Sequence, residues 1–325
     1  MKSHNVLADR RLQFARMLSE RGDHEAALSL CEETLVLAPD WDIPHFLMAE
    51  TFEALSRHQD AVTSYTDYLR LAASDIMGAE IRLALLGKAP VPETLPAPYV
   101  EALFDEYAGR FEQALLTRLD YRAPWQLRSL IDRLFPDRRA FARLLDLGCG
   151  TGLGGEAFRD LAGWMRGVDL SGKMIAEARR KGLYDELLQG DILLGTEASS
   201  PAFDLVLAAD VLVYIGDLQT VFQTVHNTLQ PGGIFAFSVQ CSSDGGYKLG
   251  QECRYSHHPD YLFRLMELTG FEALASEEAV CRQEAGKDVP GMIVVARRHL
   301  LPVGLPEISG DIATGIPMPP KPLMN

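Results

Sequence analysis

The sequence predicts an α/β protein in which a mostly parallel sheet, flanked by helices, follows a small all-α domain. Three observations carry this: a helical repeat in the first 87 residues, a proline-rich stretch after it, and short apolar runs alternating with helical patterns from Arg143 onward. Such alternation is the signature of βαβ units, which build parallel sheets. A chain of 325 residues has the length for about two domains. Its 47% hydrophobic and 23% charged residues suit globular cores rather than a disordered or fibrous chain.

The repeat has a period of 34. Ala15 and Ala49, Leu18 and Phe52, Ala27 and Ala61, and Cys31 and Tyr65 fall in matching columns. Small residues in such columns let the two helices of a hairpin approach closely, and larger ones fill the space between. Gly22-Asp23 supplies the turn of the first unit and Pro39 its exit; the second unit has Ser56-Arg57 and Ala73 there and is the weaker match. The columns resemble the tetratricopeptide pattern, which implies stacked helical hairpins over residues 1–87. A third helix, expected over 75–86, would cover the open end, since a repeat buries its apolar face mainly on its neighbours.

Residues 88–98 contain Pro90, Pro92, Pro96 and Pro98, a spacing that blocks helix and reads as a linker. A catalytic domain is expected over 99–300. It opens with an amphipathic helical segment carrying Val100, Leu103, Phe104, Tyr107, Phe111, Leu115 and Leu116 at helical spacing. The stretch 301–325 is rich in Pro and Gly without a period and reads as a tail.

With 31 basic against 45 acidic residues, the net charge of −14 disfavours a nucleic-acid partner, because that affinity rests on neutralising phosphates. The densest basic patch, 133–143, reads as a solvated helix end and loop. No apolar run has the ~18 residues of a membrane span, and the charged start lacks a leader's apolar region, so a cytoplasmic protein with no membrane partner is expected. Five dispersed cysteines without a CxxC pair suggest neither a disulfide framework nor a zinc site.

The chemistry concentrates in LLDLGCGTGLGG, residues 144–155: an apolar strand ending in an acid, then alternating glycines, then a helix. Glycines let backbone approach a ligand closely. Residues 150–155 alone also satisfy the dinucleotide pattern GxGxxG, which keeps a nicotinamide-dependent oxidoreductase open. Asp146, however, sits inside the strand, where an acid must be hydrogen-bonded to be buried. Free backbone N–H groups of the loop beside it would supply those bonds.

Asp146-Leu147-Gly148-Cys149-Gly150-Thr151-Gly152 resembles the first motif of class I S-adenosylmethionine-dependent methyltransferases residue for residue. The resemblance implies a Rossmann-like, mostly parallel, seven-stranded sheet with S-adenosylmethionine as cofactor. It continues through Asp169 with Leu170, where the family's acid accepts the ribose hydroxyls, and Asp191 with Ile192, where an acid takes the adenine amino group. It runs on through Ala208 and Ala209, at the amino-acid end of the cofactor, and through LQPGG at 229–233, the turn into a strand opening at Gly233. The strand pair within GFEALASEEAVCR and GMIVVARRH completes it. The segments 103–124, 211–218 and 254–262 further resemble predicted bacterial methyltransferases that carry tetratricopeptide repeats.

Methyl transfer is an in-line displacement, so alignment and exclusion of water matter more than a fixed base. Where a base is needed, Asp210, Tyr214, His257 and His258 fall at the C-terminal rim of the sheet, where open α/β folds bind ligands; Tyr255 joins them as a substrate-side residue. His258 reads equally as a cap of the helix near Pro259. Tyr107 and Phe111 are candidates for an aromatic lid facing the sulfonium. The acceptor is a small molecule, a carrier-bound group or a protein, with the repeats as a docking site for a protein partner. The rival reading is a repeat-based adaptor with a catalytically silent cofactor fold.

Overall fold

The computed structural model describes residues 3–108, 121–137, 140–193, 203–284 and 286–300. Two compact units divide the chain, Met1–Leu103 and Phe104–Asn325.

The first unit contains two helical hairpins, α1 (Val6–Glu20) with α2 (His24–Leu37) and α3 (Ile43–Ala54) with α4 (His58–Leu71), followed by α5 (Ala79–Leu85). Ala15, Ala27, Cys31, Ala49, Ala61 and Tyr65 are all wholly buried, so columns matched by the period line one core. Both hairpins turn alike. Gly22 (φ +83°) and Ser56 (φ +59°), 34 positions apart, are left-handed. Gly22 and Asp23 donate their N–H groups to Ser19 and Leu18, and Ser56 and Arg57 donate theirs to Glu53 and Phe52. Each pair of bonds satisfies carbonyls that a helix end leaves open. Behind the second turn, Glu53 accepts from Tyr65 at 2.5 Å and from Arg82 at 2.5 and 3.0 Å, joining α3, α4 and α5.

Two boundaries differ from the sequence reading. The third helix begins at Ala79 rather than at 75, because the Asp75 carboxylate accepts from the N–H groups of Gly78, Ala79 and Glu80, each at 2.8 Å, and so caps the helix instead of entering it. The first unit also runs past residue 87 to Leu103. Within the stretch read as a linker, Leu95 is buried. Just beyond it the Tyr99 ring lies so close to Gly78 that a Cβ there would stand 2.9 Å away. These contacts hold the proline-rich segment on the helices.

Helix α6 (Ala97–Tyr107) leads into the second unit. Phe111, Leu115 and Leu116 lie outside the described residues, as does the tail. The second unit is a seven-stranded sheet in the order β3-β2-β1-β4-β5-β9-β8. Its strands are β1 (Phe141–Leu147), β2 (Ala162–Asp169), β3 (Glu186–Gln189), β4 (Phe203–Ala208), β5 (Leu229–Gln240), β8 (Phe271–Glu284) and β9 (Lys287–Arg298); β6 (Tyr247–Leu249) and β7 (Tyr255–His257) form a separate hairpin. β3, β2, β1, β4 and β5 pair in parallel, and β9 runs antiparallel to both β5 and β8. Strand β5 starts at Leu229 rather than Gly233, with a register break in its pairing to β4.

The strands read as continuous apolar runs because both faces are covered. Leu205, Leu207, Ile234 and Ala236 face α7 (Ala123–Leu134) and α8 (Leu153–Phe158) through Leu127, Leu130, Ile131 and Phe158. Val206, Ala208, Phe235 and Phe237 face α10 (Gln219–Thr228) and α11 (Pro259–Leu268) through Phe222, Val225, Leu262 and Met266. Phe222 packs edge-on against Phe235 and Phe237 at 5.4 and 5.3 Å. Burying each such ring contributes about 1.5–3 kcal/mol. At the N-terminal end of the sheet, buried Asp204 accepts from the N–H groups of Ala142 and Arg143, both at 2.8 Å. This bond pair helps fix β1 beside β4, and with it the height at which the C-terminal ends emerge. Buried thiols lie in both units, Cys31 in the helices and Cys281 in β8.

Candidate active site

Parallel pairing aligns the C-terminal ends of β1, β2, β3 and β4 along one rim, with Leu147 opposite Val168, Asp169 opposite Gln189 and Asp146 opposite Leu207. Between β1 and α8 the chain turns through Gly148 (φ +67°), Gly150 (φ +53°) and Gly152 (φ +96°). Gly148 and Cys149 donate to the Val168 carbonyl at 2.8 and 3.0 Å, pinning the turn to β2. A Cβ on Gly148 would stand 2.5 Å from Val211, so no other residue fits there.

Two acids are buried beneath this turn. Asp169 accepts from the Gly150 N–H through Oδ2 at 2.8 Å and from the Ser171 N–H through Oδ1 at 2.9 Å. Burial raises its pKa, the two N–H bonds oppose that, and Asp105 adds to the rise. Ser171, the N-cap of α9 (Gly172–Lys181), accepts from Met174 and donates to Asp105 at 2.6 Å. This bond seats the end of α6 on the turn. Asp146, 2% exposed, is pushed up to about 7 by burial, with the Asp169 charge adding and a bond from Tyr184 opposing. That bond, Tyr184 Oη to Asp146 Oδ2 at 2.6 Å, replaces the loop N–H groups expected from the sequence. Further along, Asp191 accepts from Leu193 N–H at 2.8 Å, Ile192 is buried, and a Cβ on Gly190 would meet open space.

The rim beyond β4 is built differently. Asp210 has φ +56°, a strained setting for a non-glycine residue and one that clusters at functional sites. Its N–H donates to Ser238 at 2.8 Å, and its carboxylate accepts from Arg282 at 2.6 Å. Arg282, 2% exposed, also donates to Gln240 at 2.8 Å. Asp210 is thereby held in an ion pair. His257 is held through one ring nitrogen, while its buried Nδ1 has no hydrogen-bond partner among the described residues. It is wholly buried, and its Nε2–H donates to the carbonyls of Ile215 and Gly216 at 2.9 and 3.1 Å. Burial lowers its pKa to about 4, so the ring is neutral. His258 caps α11 by accepting from Asp260 N–H. Tyr214 is buried beside Phe104, ring centroids 5.3 Å apart, and burial raises its pKa. Tyr255, the first residue of β7, is wholly buried, with its ring 6.0 Å from that of Tyr247 in β6. Tyr107 is 51% exposed; the aromatic that α6 packs on this rim is Phe104. Tyr121 donates to the Ala209 carbonyl at 3.3 Å.

A family profile described as a methyltransferase domain matches residues 119–278. The ubiquinone biosynthesis O-methyltransferase of Ruegeria pomeroyi is 31% identical over 176 residues, which are 48% of this chain and 70% of that protein. The chain belongs to the S-adenosylmethionine-dependent methyltransferases. A malonyl-[acyl-carrier protein] O-methyltransferase of Enterobacter lignolyticus is 40% identical over 111 residues, 34% of this chain and 43% of the relative; the chain thus spans less than half of that protein. A solved S-adenosylmethionine-dependent methyltransferase from Leishmania major superposes with a TM-score of 0.50 at 15% identity, covering 62% of this chain and 82% of that one, a likeness of fold.

The residues present fit the cofactor of such methyltransferases. Each Asp169 oxygen accepts one N–H bond and keeps lone-pair capacity for a hydroxyl. Thr151 Oγ1, buried in the glycine turn, has no hydrogen-bond partner among the described residues, and buried polar atoms ordinarily have one. Sequence reasoning missed Tyr184, Arg282 and Ser171. Only Ser171 had a local signal, a serine just ahead of a helical pattern.

Proposed function

We propose that the chain transfers the methyl group of S-adenosylmethionine to an oxygen of a small-molecule or carrier-bound acceptor, an oxygen already ionised near neutral pH. When bound, the cofactor supplies an electrophilic methyl on a sulfonium. Asp169 would hold the ribose hydroxyls, Asp191 the adenine amino group beside Ile192, and the backbone of 148–150 and 208–209 the amino-acid end. Asp169 at the end of β2, reached by the Gly150 N–H, is the observation that carries the cofactor assignment.

The ion pair that holds Asp210 on Arg282 and the burial that lowers the His257 pKa to about 4 support an acceptor that needs no proton removed in the transition state. Relatives named as O-methyltransferases support oxygen as the atom. In the first unit, the period of 34 and its buried alanines support tetratricopeptide-like hairpins that present a protein or carrier partner. Cross-links from partners to the full chain should map to residues before Leu103; cross-links confined to the second unit would count against that role.

The deciding experiment is calorimetric titration with S-adenosylhomocysteine. Replacing Asp169 by Ala should remove charge-assisted bonds of about 1.5–3 kcal/mol each, which weakens binding roughly tenfold to a hundredfold. Unchanged affinity in Asp169→Ala would take this carboxylate out of the site.

A further inference from the structure

We propose that Tyr184, which precedes β3, is a positioning residue: it sets the shape of the glycine turn, and so cofactor affinity, by holding Asp146 and the start of α8 in one hydrogen-bonded unit. The inference rests on the methyltransferase reading and adds a residue that no motif assigns. The Tyr184 hydroxyl donates to Asp146 Oδ2 at 2.6 Å and accepts from the Gly155 N–H at 2.8 Å. Among the described residues it is the one hydrogen-bond donor to the Asp146 side chain.

Its ring is one of the groups that crowd the glycines around it. A Cβ on Gly152, Gly155 or Gly167 would stand 3.2, 2.8 or 3.0 Å from Tyr184 carbons. On Gly154 it would stand 2.3 Å from Asp146 Oδ2. Three of these four lie in the motif that a sequence reading assigns wholly to the ligand. Here they make room for the Tyr184–Asp146 pair, which reaches the turn from beneath while Asp169 holds the Gly150 N–H. A side chain that locks both ends of the turn pre-organises it, and pre-organisation raises affinity by reducing the ordering that binding requires. Because Asp146 is buried and titratable, the route through it leaves a mark that packing alone would not: a pH dependence of binding tied to one hydrogen bond.

The test measures the Kd of S-adenosylhomocysteine from pH 5.5 to 8.5 for the full chain and for Tyr184→Phe, with Tm recorded for both. Wild-type affinity should change with pH near the Asp146 midpoint. The Phe variant should bind about tenfold more weakly, as expected for one lost hydrogen bond to a charged group, with the midpoint moved to higher pH. Unchanged affinity in the variant overturns the proposal; so does weaker binding with an unmoved midpoint, or a wild-type affinity independent of pH. If the wild type does not bind at all, the methyltransferase reading fails instead. If Tyr184→Phe does not fold, hydrogen exchange at the Gly155 amide of the wild type decides: slowing on ligand addition supports the proposal, and an unchanged rate overturns it.

Discussion

On the β1–β2 side of the rim, Asp146 and Asp169 are buried and held by neutral donors, a phenol and two backbone N–H groups. On the β4–β8 side, half-buried Asp210 meets a buried guanidinium, and burial keeps the His257 imidazole neutral against the opposing effect of its two carbonyl partners. Buried charge needs a partner or must neutralise. The second side pairs its carboxylate with a cation of its own, whereas the first meets its two carboxyl groups with neutral donors alone. That contrast suits a sulfonium on one side and, on the other, an acceptor that the protein need not deprotonate.

The contrast can be broken most sharply at Arg282. Arg282→Met leaves the half-buried Asp210 carboxylate, 15% exposed, without its cation, a loss below the roughly 3–5 kcal/mol of removing one partner of a fully buried pair. Urea unfolding should register that loss, and Asp210→Asn added to it should recover a large part. A single variant as stable as wild type would mean that water, not Arg282, solvates Asp210.

A pH series sharpens the same comparison, since the two sides titrate in opposite senses. Asp146 is raised to about 7 from an ordinary value near 3.9, so the folded chain holds its proton more tightly. Its contribution is complete below about pH 4 and lost as pH rises toward 7. His257 is lowered to about 4 from about 6.5, so its contribution is complete above pH 6.5 and lost as pH falls. Each slope approaches about 1.4 kcal/mol per pH unit, and between pH 4 and 6.5 they oppose. Stability of Asp146→Asn should therefore rise through that window, and that of His257→Gln should fall; parallel curves for both would reject the assignments.

The smallest effect expected lies away from both sides of the rim. Ser56 takes the left-handed conformation that Gly22 takes in the first hairpin. A non-glycine residue there costs about 1 kcal/mol. Ser56→Gly should raise stability by somewhat less, because glycine also loosens the unfolded chain, and should leave S-adenosylhomocysteine affinity unchanged. A lower Tm would mean that the Ser56 side chain contributes contacts that outweigh its backbone cost.

What the sequence made legible was local. The glycine turn, Asp146 and Asp169 announce themselves because the motif is contiguous and its strand and helix follow within a few residues. The period of 34 marked the buried columns of the first unit for the same reason. Tyr184 reaches Asp146 across 38 positions and Arg282 reaches Asp210 across 72; no periodicity encodes such pairings, which exist only once the sheet is ordered. The two carbonyls that accept from His257 lie 42 and 41 positions away and also appear only in the fold. The later end of the first unit likewise depended on Tyr99 meeting Gly78, a contact that proline spacing does not announce.

The distribution of thiols has a practical consequence. Cys31 and Cys281 are both pushed up to about 12 by burial, and thiolates rather than thiols react with alkylating reagents. One lies among the helices and the other in the sheet, so each is shielded until its own surroundings open. Labelling rates at these two positions would clock the breathing of the two units separately, without an engineered cysteine.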